Sequence, residues 1–131
     1  MRVLLDTNVV ISSILFGGHP RRILEASIEG RFDLVTSPAL LEELERLLSR
    51  KFGFSSKTAA GVRSELEQLG SLVEPAQAPR VARDRDDDQV LAAAVEGRAE
   101  IIVTGDADLL VLEQHRGIRI VAPQDFELPG T

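Results

Sequence analysis

The chain has 131 residues and a formal net charge of −6, from 21 acidic and 15 basic groups, with 44% of its residues hydrophobic. That length and apolar fraction fit one domain over residues 1–131 with a sizeable core, and they exclude a disordered acidic tail. The absence of cysteine excludes disulfides, thiolate catalysis and Cys-ligated zinc or iron–sulfur centres, and the net acidity excludes a globally basic nucleic-acid binder.

Val3 to Leu5 reads as a short buried strand ended by Asp6. Arg2 and the apolar residues up to Phe16 faintly resemble a secretion signal, but Asp6 and Asn8 interrupt them. No apolar run approaches the ~20 residues needed to span a membrane, so a cytoplasmic protein without membrane association is expected. Thr7 to Phe16 is apolar almost all round, and as a helix it should be buried. Gly17-Gly18 ends it, and Pro20 opens a second helix running to Gly30. Phe32 to Val35 is the next strand; Ser37 then reads as a helix cap with Pro38 at the first helical position. In that third helix Leu40, Leu41, Leu44, Leu47 and Leu48 share one face. Ser55 to Leu69 is a more polar helix, Leu72-Val73 a short strand, and residues 76–85 a loop. Asp86 to Glu96 reads as a helix, Ile101 to Val103 as a strand, Asp106 to Leu112 as a short helix and Ile118 to Val121 as the last strand. The alternation of apolar strands with helices predicts a three-layer α/β/α domain around a central parallel sheet of about five strands.

The acidic residues have a pattern of their own. Asp6 ends the first strand and Asp106 follows the Ile101–Val103 strand, so both belong at the carboxyl edge of a parallel sheet, where open α/β folds hold ligands. Glu43, early in the third helix, and the acids that begin the 86–96 helix project to the same edge. Spacing leaves two choices open. On a helical wheel Glu42 lies opposite the leucine stripe, while Glu43 and Glu45 both flank it. Asp87 and Asp88 likewise stand three or four residues before apolar positions, and neither is favoured. Each acid taken alone also fits an ordinary cap or a solvated helix face. Asp6 is the strongest single case, because an ionised group directly after a buried strand needs a partner. Two carboxylates about 4 Å apart repel by roughly 4 kcal/mol at an effective dielectric of 20. Four on one edge therefore call for a cation, and hard divalent ions such as Mg²⁺ or Mn²⁺ prefer all-oxygen ligands.

Val3-Leu4-Leu5-Asp6-Thr7-Asn8 resembles the opening signature of PIN-domain nucleases, and Ser37 to Leu44 resembles their second motif with its acid at Glu43. Asp87 to Ala94 is similar to the third motif and Val103 to Leu109 to the fourth. The resemblance runs through essentially the whole chain in order, and it is closest to the single-domain bacterial VapC-like proteins of toxin–antitoxin pairs. It implies a PIN-like fold and a divalent-metal-dependent endoribonuclease that hydrolyses RNA by in-line attack of metal-activated water. It also implies Asp6, Glu43, Asp88 and Asp106 as the catalytic, metal-holding set, with Asp108 as a further ligand and Asn8 and Thr104 orienting the carboxylates. Mg²⁺ or Mn²⁺ is the implied cofactor. An RNA substrate, a cognate antitoxin protein and a homodimer are the implied partners. Ser37 is read as a cap rather than a catalytic group, Asp84 and Asp86 as solvated charge, and neither His19 nor His115 is required.

RNA would have to reach an acidic protein. Thirteen of the 15 basic residues are Arg, which favours phosphate pairing. Candidate contacts are Arg21 and Arg22 on the second helix, Arg46, Arg50, Lys51 and Lys57 around the third, and Arg80, Arg83 and Arg85 beside the third motif. With no Trp or Tyr and five Phe, aromatic stacking is not expected to be the main source of affinity. Two other readings stand beside the nuclease. One is a catalytically idle module that binds RNA or protein. The other is a phosphatase of the haloacid-dehalogenase type using Asp6 as nucleophile, against which Asn8 stands where a second acid is needed.

Overall fold

The protein is described by a computed structural model over residues 1–75 and 85–130, with the backbone only for Arg85 and Asp86. In chain order its elements are β1 (Arg2–Leu5), α1 (Thr7–Leu15), α2 (Gly18–Ile28), β2 (Asp33–Thr36), α3 (Pro38–Arg50), α4 (Ser56–Leu69) and β3 (Ser71–Leu72). There follow α5 (Arg85–Glu96), β4 (Ile101–Val103), α6 (Ala107–Leu110), β5 (Gln114–His115) and β6 (Ile118–Val121), with a short 3-10 turn at Pro123–Asp125. Of the loop expected over residues 76–85, residues 76–84 lie outside the described residues and Arg85 instead begins α5.

Strand alternation builds two cores on one sheet. Val3, Leu5, Leu34, Ile101 and Val103 point to one face, where α1, α2, α3 and α4 cover them. Leu4, Val35, Ile102, Ile118 and Ile120 point to the other, under α5 and Leu109 of α6. Strands buried on both faces must be apolar at successive positions, which is why Val3-Leu4-Leu5 and Ile101-Ile102-Val103 are continuous hydrophobic runs.

The strands run in the order β3-β2-β1-β4-β6-β5. The first five pair in parallel, as expected, and β5 adds an antiparallel edge to β6, making six strands and a mixed sheet. The extra strand is made by a tight hairpin in which Arg116 and Gly117 both take positive φ, 51° and 81°, the combination a two-residue hairpin turn requires. At two residues it is too short to carry a detectable period.

From β1 the chain works outward through β2 to β3, then returns to place β4 on the other side of β1. The carboxyl ends of β1 and β4 therefore flank the point where strand order reverses, the position at which such sheets open a crevice. Leu5 pairs with Val103 in this register, so Asp6 and Thr104 are the first residues past the sheet on each side. Several expected bounds shift: β2 is Asp33–Thr36 rather than Phe32–Val35, β3 is Ser71–Leu72 rather than Leu72-Val73, and α6 is Ala107–Leu110 rather than Asp106–Leu112. Gly18 rather than Pro20 begins α2, and α1 closes at Leu15 with Phe16 as its cap, leaving Phe16 outside the buried helix. No described helix is long and apolar enough to cross a membrane.

Candidate metal centre

Asp6 is 6% exposed and sits between β1 and α1, where it does two jobs. One carboxylate oxygen caps α1 by accepting from the Thr7 backbone N–H at 2.7 Å. The other accepts from the Thr104 hydroxyl at 2.6 Å and from the Asn8 side-chain amide at 3.4 Å. Burial pushes the Asp6 carboxyl above its ordinary value of 3.8; the hydrogen bonds from Thr104 and Thr7 pull it back, and the Asp106 charge adds to the rise.

Thr104 links the two strand ends. Its hydroxyl donates to Asp6 and accepts the Asp106 backbone N–H at 3.0 Å, while the Asn8 side-chain oxygen Oδ1 accepts from Gly105 N–H at 3.3 Å. Asp106 repeats the Asp6 arrangement as the cap of α6, accepting from Asp108 N–H at 2.7 Å. Each acid thus follows a strand, caps the next helix and faces the crevice. Local helix-capping chemistry and the sheet's topology place the same groups.

Around this pair opens a cleft of about 280 Å³ lined by Asp6, Asn8, Glu43, Asp87 and Asp106 on its polar side. The two choices left open by spacing come apart in three dimensions. Glu43 reaches the cleft, whereas Glu45 forms an ion pair with Arg63 of α4 at 3.0 Å. Asp87 lines the cleft; Asp88, the residue implied by the family resemblance, does not line it. Asp88 is 4% exposed, and its charge acts on His115 of β5. Burial lowers the His115 pKa and Arg116 adds to the fall, against which Asp88 works in the opposite direction. Of the acids described on α5, the one that lines this cleft is Asp87. One helical step of 100° is the physical difference between the two.

Carboxylate oxygens of Asp87, Asp106 and Asp108 lie within 4.8 Å of one another. Ligands across a Mg²⁺ ion stand about 4 Å apart, so this all-oxygen set fits a hard divalent cation with small side-chain adjustment. Asp108 joins from the first turn of α6, two residues past the Asp106 cap.

The basic candidates separate as sharply. Lys51 lines the cleft, with its ammonium 5.7 Å from the centre of the Phe52 ring. Arg46 and Arg50 line a different hollow, on the outer side of α3 against Ser56 and Ala59 of α4. Arg21 is turned to the end of α1, donating to the carbonyls of Ser13 and Ile14. Arg22 and Lys57 are exposed on α2 and α4. Arg80, Arg83, Asp84 and the side chains of Arg85 and Asp86 lie outside the described residues. Ser37 caps α3 by accepting from Leu40 N–H, and His19 is tied to the Phe126 carbonyl at 3.3 Å. Sequence reasoning passed over the apolar side of the cleft, formed by Ile11, Phe16, Leu47 and Phe52. The overlooked signal was that Phe16 stands directly before the Gly17-Gly18 stop, where a helix ends and its cover ends with it.

Residues 2–108 match the family described as PIN domain. An uncharacterized protein of Methanocaldococcus jannaschii is 32% identical over 139 residues, covering 96% of this chain and 89% of that protein. In fold, the chain is similar to VapBC-1 from nontypeable Haemophilus influenzae, with a TM-score of 0.65 at 14% identity over 95% of this chain and all of that one. It is also similar to VapBC2 from Rickettsia felis, solved bound to a DNA fragment from the promoter, with a TM-score of 0.57 at 16% identity over 93% of this chain and 98% of that one.

Proposed function

The chain belongs to the PIN-domain family, and from that premise we propose that it is a divalent-metal-dependent endoribonuclease working in the cytoplasm. The observation that carries this reading is the cleft itself. Asp6, Glu43, Asp87 and Asp106, from four separate stretches of sequence, meet at the point where strand order reverses.

In this reading Asp6, Glu43, Asp87 and Asp106, with Asp108 beside them, hold Mg²⁺ or Mn²⁺. The metal would supply activation of water and neutralisation of charge on a phosphodiester. The chain's own groups do the positioning. Thr104 and Asn8 fix the Asp6 carboxylate, so its oxygens do not swing when a charged substrate enters. The caps of α1 and α6 hold Asp6 and Asp106 in place through backbone N–H groups. Lys51 stands at the cleft as a cation for a substrate phosphate. The hydrogen bonds on both Asp6 oxygens suit a held ligand better than the attacking nucleophile of a phosphatase.

The test is cleavage of labelled RNA by the purified protein with Mg²⁺ or Mn²⁺. Cleavage should stop in EDTA and in the Asp6→Asn and Asp106→Asn variants. Asp87→Asn should also abolish it and remove metal-induced thermal stabilisation, whereas Asp88→Asn should keep metal stabilisation and lower the His115 pKa further. Activity that survives EDTA and Asp6→Asn sinks the assignment. A folded protein that neither binds Mn²⁺ nor cuts RNA is the idle module instead.

The likeness in fold to two VapBC proteins supports a toxin role with a small antitoxin partner. Co-expression with a neighbouring short reading frame should relieve growth arrest caused by this chain, and harmless overexpression of an active nuclease counts against the role. A homodimer belongs to the same reading and is read out by light scattering.

A further inference from the structure

We propose that the Phe16 ring is a nucleobase platform at the mouth of the acidic cleft, holding a base of the RNA beside the phosphate that is cut. The inference rests on the ribonuclease reading above and adds to it a subsite that recognises the base rather than the phosphate.

Phe16 is 78% exposed, the most exposed large hydrophobic residue described, yet it lines the same cleft as Asp6, Asn8, Glu43, Asp106 and Lys51. Its backbone is tied to the end of α1. Its backbone N–H closes the last turn of α1 on Ser12, and Arg21 clamps that end by donating to the Ser13 and Ile14 carbonyls. Gly17 follows with φ of 74°, a conformation that ends the helix directly after Phe16.

The second aromatic of the cleft differs in the respect that matters. Phe52 packs partly against the core, and the Lys51 ammonium stands over its ring. It is a wall, whereas Phe16 is an open platform. Stacking suits an acidic protein for a further reason: a base offers an apolar face with no charge to repel, and every base can use it. A phosphate held at the acids and a base held at Phe16 would together fix one nucleotide, and neither contact alone sets its orientation.

The experiment compares the wild type with Phe16→Ala, Phe16→Leu and Phe16→Tyr on one RNA whose cut position has been mapped. Because the ring is exposed, all four proteins should melt alike. Phe16→Ala and Phe16→Leu should raise KM by about tenfold, the size of one lost stacking contact, with kcat unchanged, and Phe16→Tyr should restore it. Replacing the stacked nucleotide by an abasic residue should raise KM equally in the wild type and add nothing to Phe16→Ala. Independently of turnover, 2-aminopurine placed at that nucleotide should change fluorescence on binding with Ca²⁺, the RNA being verified intact, and Phe16→Ala should lose the change. An unchanged KM in Phe16→Ala, with the wild type cutting normally, overturns the platform and leaves the ribonuclease standing. The same result joined to a lost protein partner makes the ring a protein contact and overturns it too. Equal performance of Leu and Tyr overturns stacking in favour of simple apolar contact. Failure of the wild type to cut any RNA overturns the ribonuclease reading, and the platform with it.

Discussion

At Asp6, burial and hydrogen bonding act in opposite directions on one carboxyl group. Burial is the larger effect and holds its pKa above 3.8, and the hydrogen bonds from Thr104 and Thr7 recover part of the difference. A carboxyl whose folded pKa is raised binds its proton more tightly in the folded chain. Its contribution to stability is fully present below the unfolded pKa and is lost as pH rises through the folded one. In metal-free protein, the stability difference between Asp6→Asn and wild type should therefore move in favour of the Asn variant as pH is raised from below the ordinary carboxyl value of 3.8 through the raised one. On the proposed metal-dependent function, metal should reverse the order. A site occupied at one hundred times its dissociation constant adds about 2.7 kcal/mol to the wild type, and the variant should gain less. Melting curves with EDTA and with Mn²⁺ at several pH values check both statements, and a difference that does not vary with pH would contradict the raised pKa.

Helix α5 carries Asp87 into the cleft, and its docking on the sheet depends on one residue just past its end. A methyl group added to Gly97 would collide with Val35 Cγ1 of β2 and stand 3.1 Å from the Ala93 carbonyl. Val35 is fully buried and has no room to withdraw. Gly97→Ala should cost about 1–3 kcal/mol by overpacking, read as a lowered denaturation midpoint at unchanged slope. The same change at Gly61, with no atom within 4 Å, should not destabilise. Much at this scale was legible beforehand. Ser37-Pro38 marked the start of α3, the leucine spacing marked its buried face, and Gly17-Gly18 marked the break between α1 and α2. The β5 strand was not, because its two residues are created by a turn rather than by a pattern.

For the molecule as a whole, the proposed ribonuclease function has to overcome a net charge of −6, which works against RNA unless a cation occupies the cleft. Tight RNA binding should accordingly need Mg²⁺ or Mn²⁺ and fail in EDTA. The basic residues do not act equally. Lys51→Ala should weaken metal-dependent RNA binding and reduce the slope of log K against log salt by about 0.7, one phosphate contact on a single strand. Arg50→Ala, on the other side of α3, should leave both unchanged. Binding isotherms across a salt series check the contrast, and equal effects of the two substitutions would mean that the RNA follows a different path.

The sequence by itself determined the layered α/β architecture, because strands covered on both faces must be apolar at every position and such runs are visible without coordinates. It also determined the edge at which the acids gather, because Asp6 and Asp106 directly follow parallel strands. Only the tertiary structure decided which side chains line the cleft: Asp87 and not Asp88, Glu43 and not Glu45, Lys51 and not Arg46 or Arg50. Those choices turn on the rotation of a helix about its own axis. Packing of the buried faces of α3 and α5 against residues distant in sequence sets that rotation, and a single step of 100° carries a side chain out of the cleft.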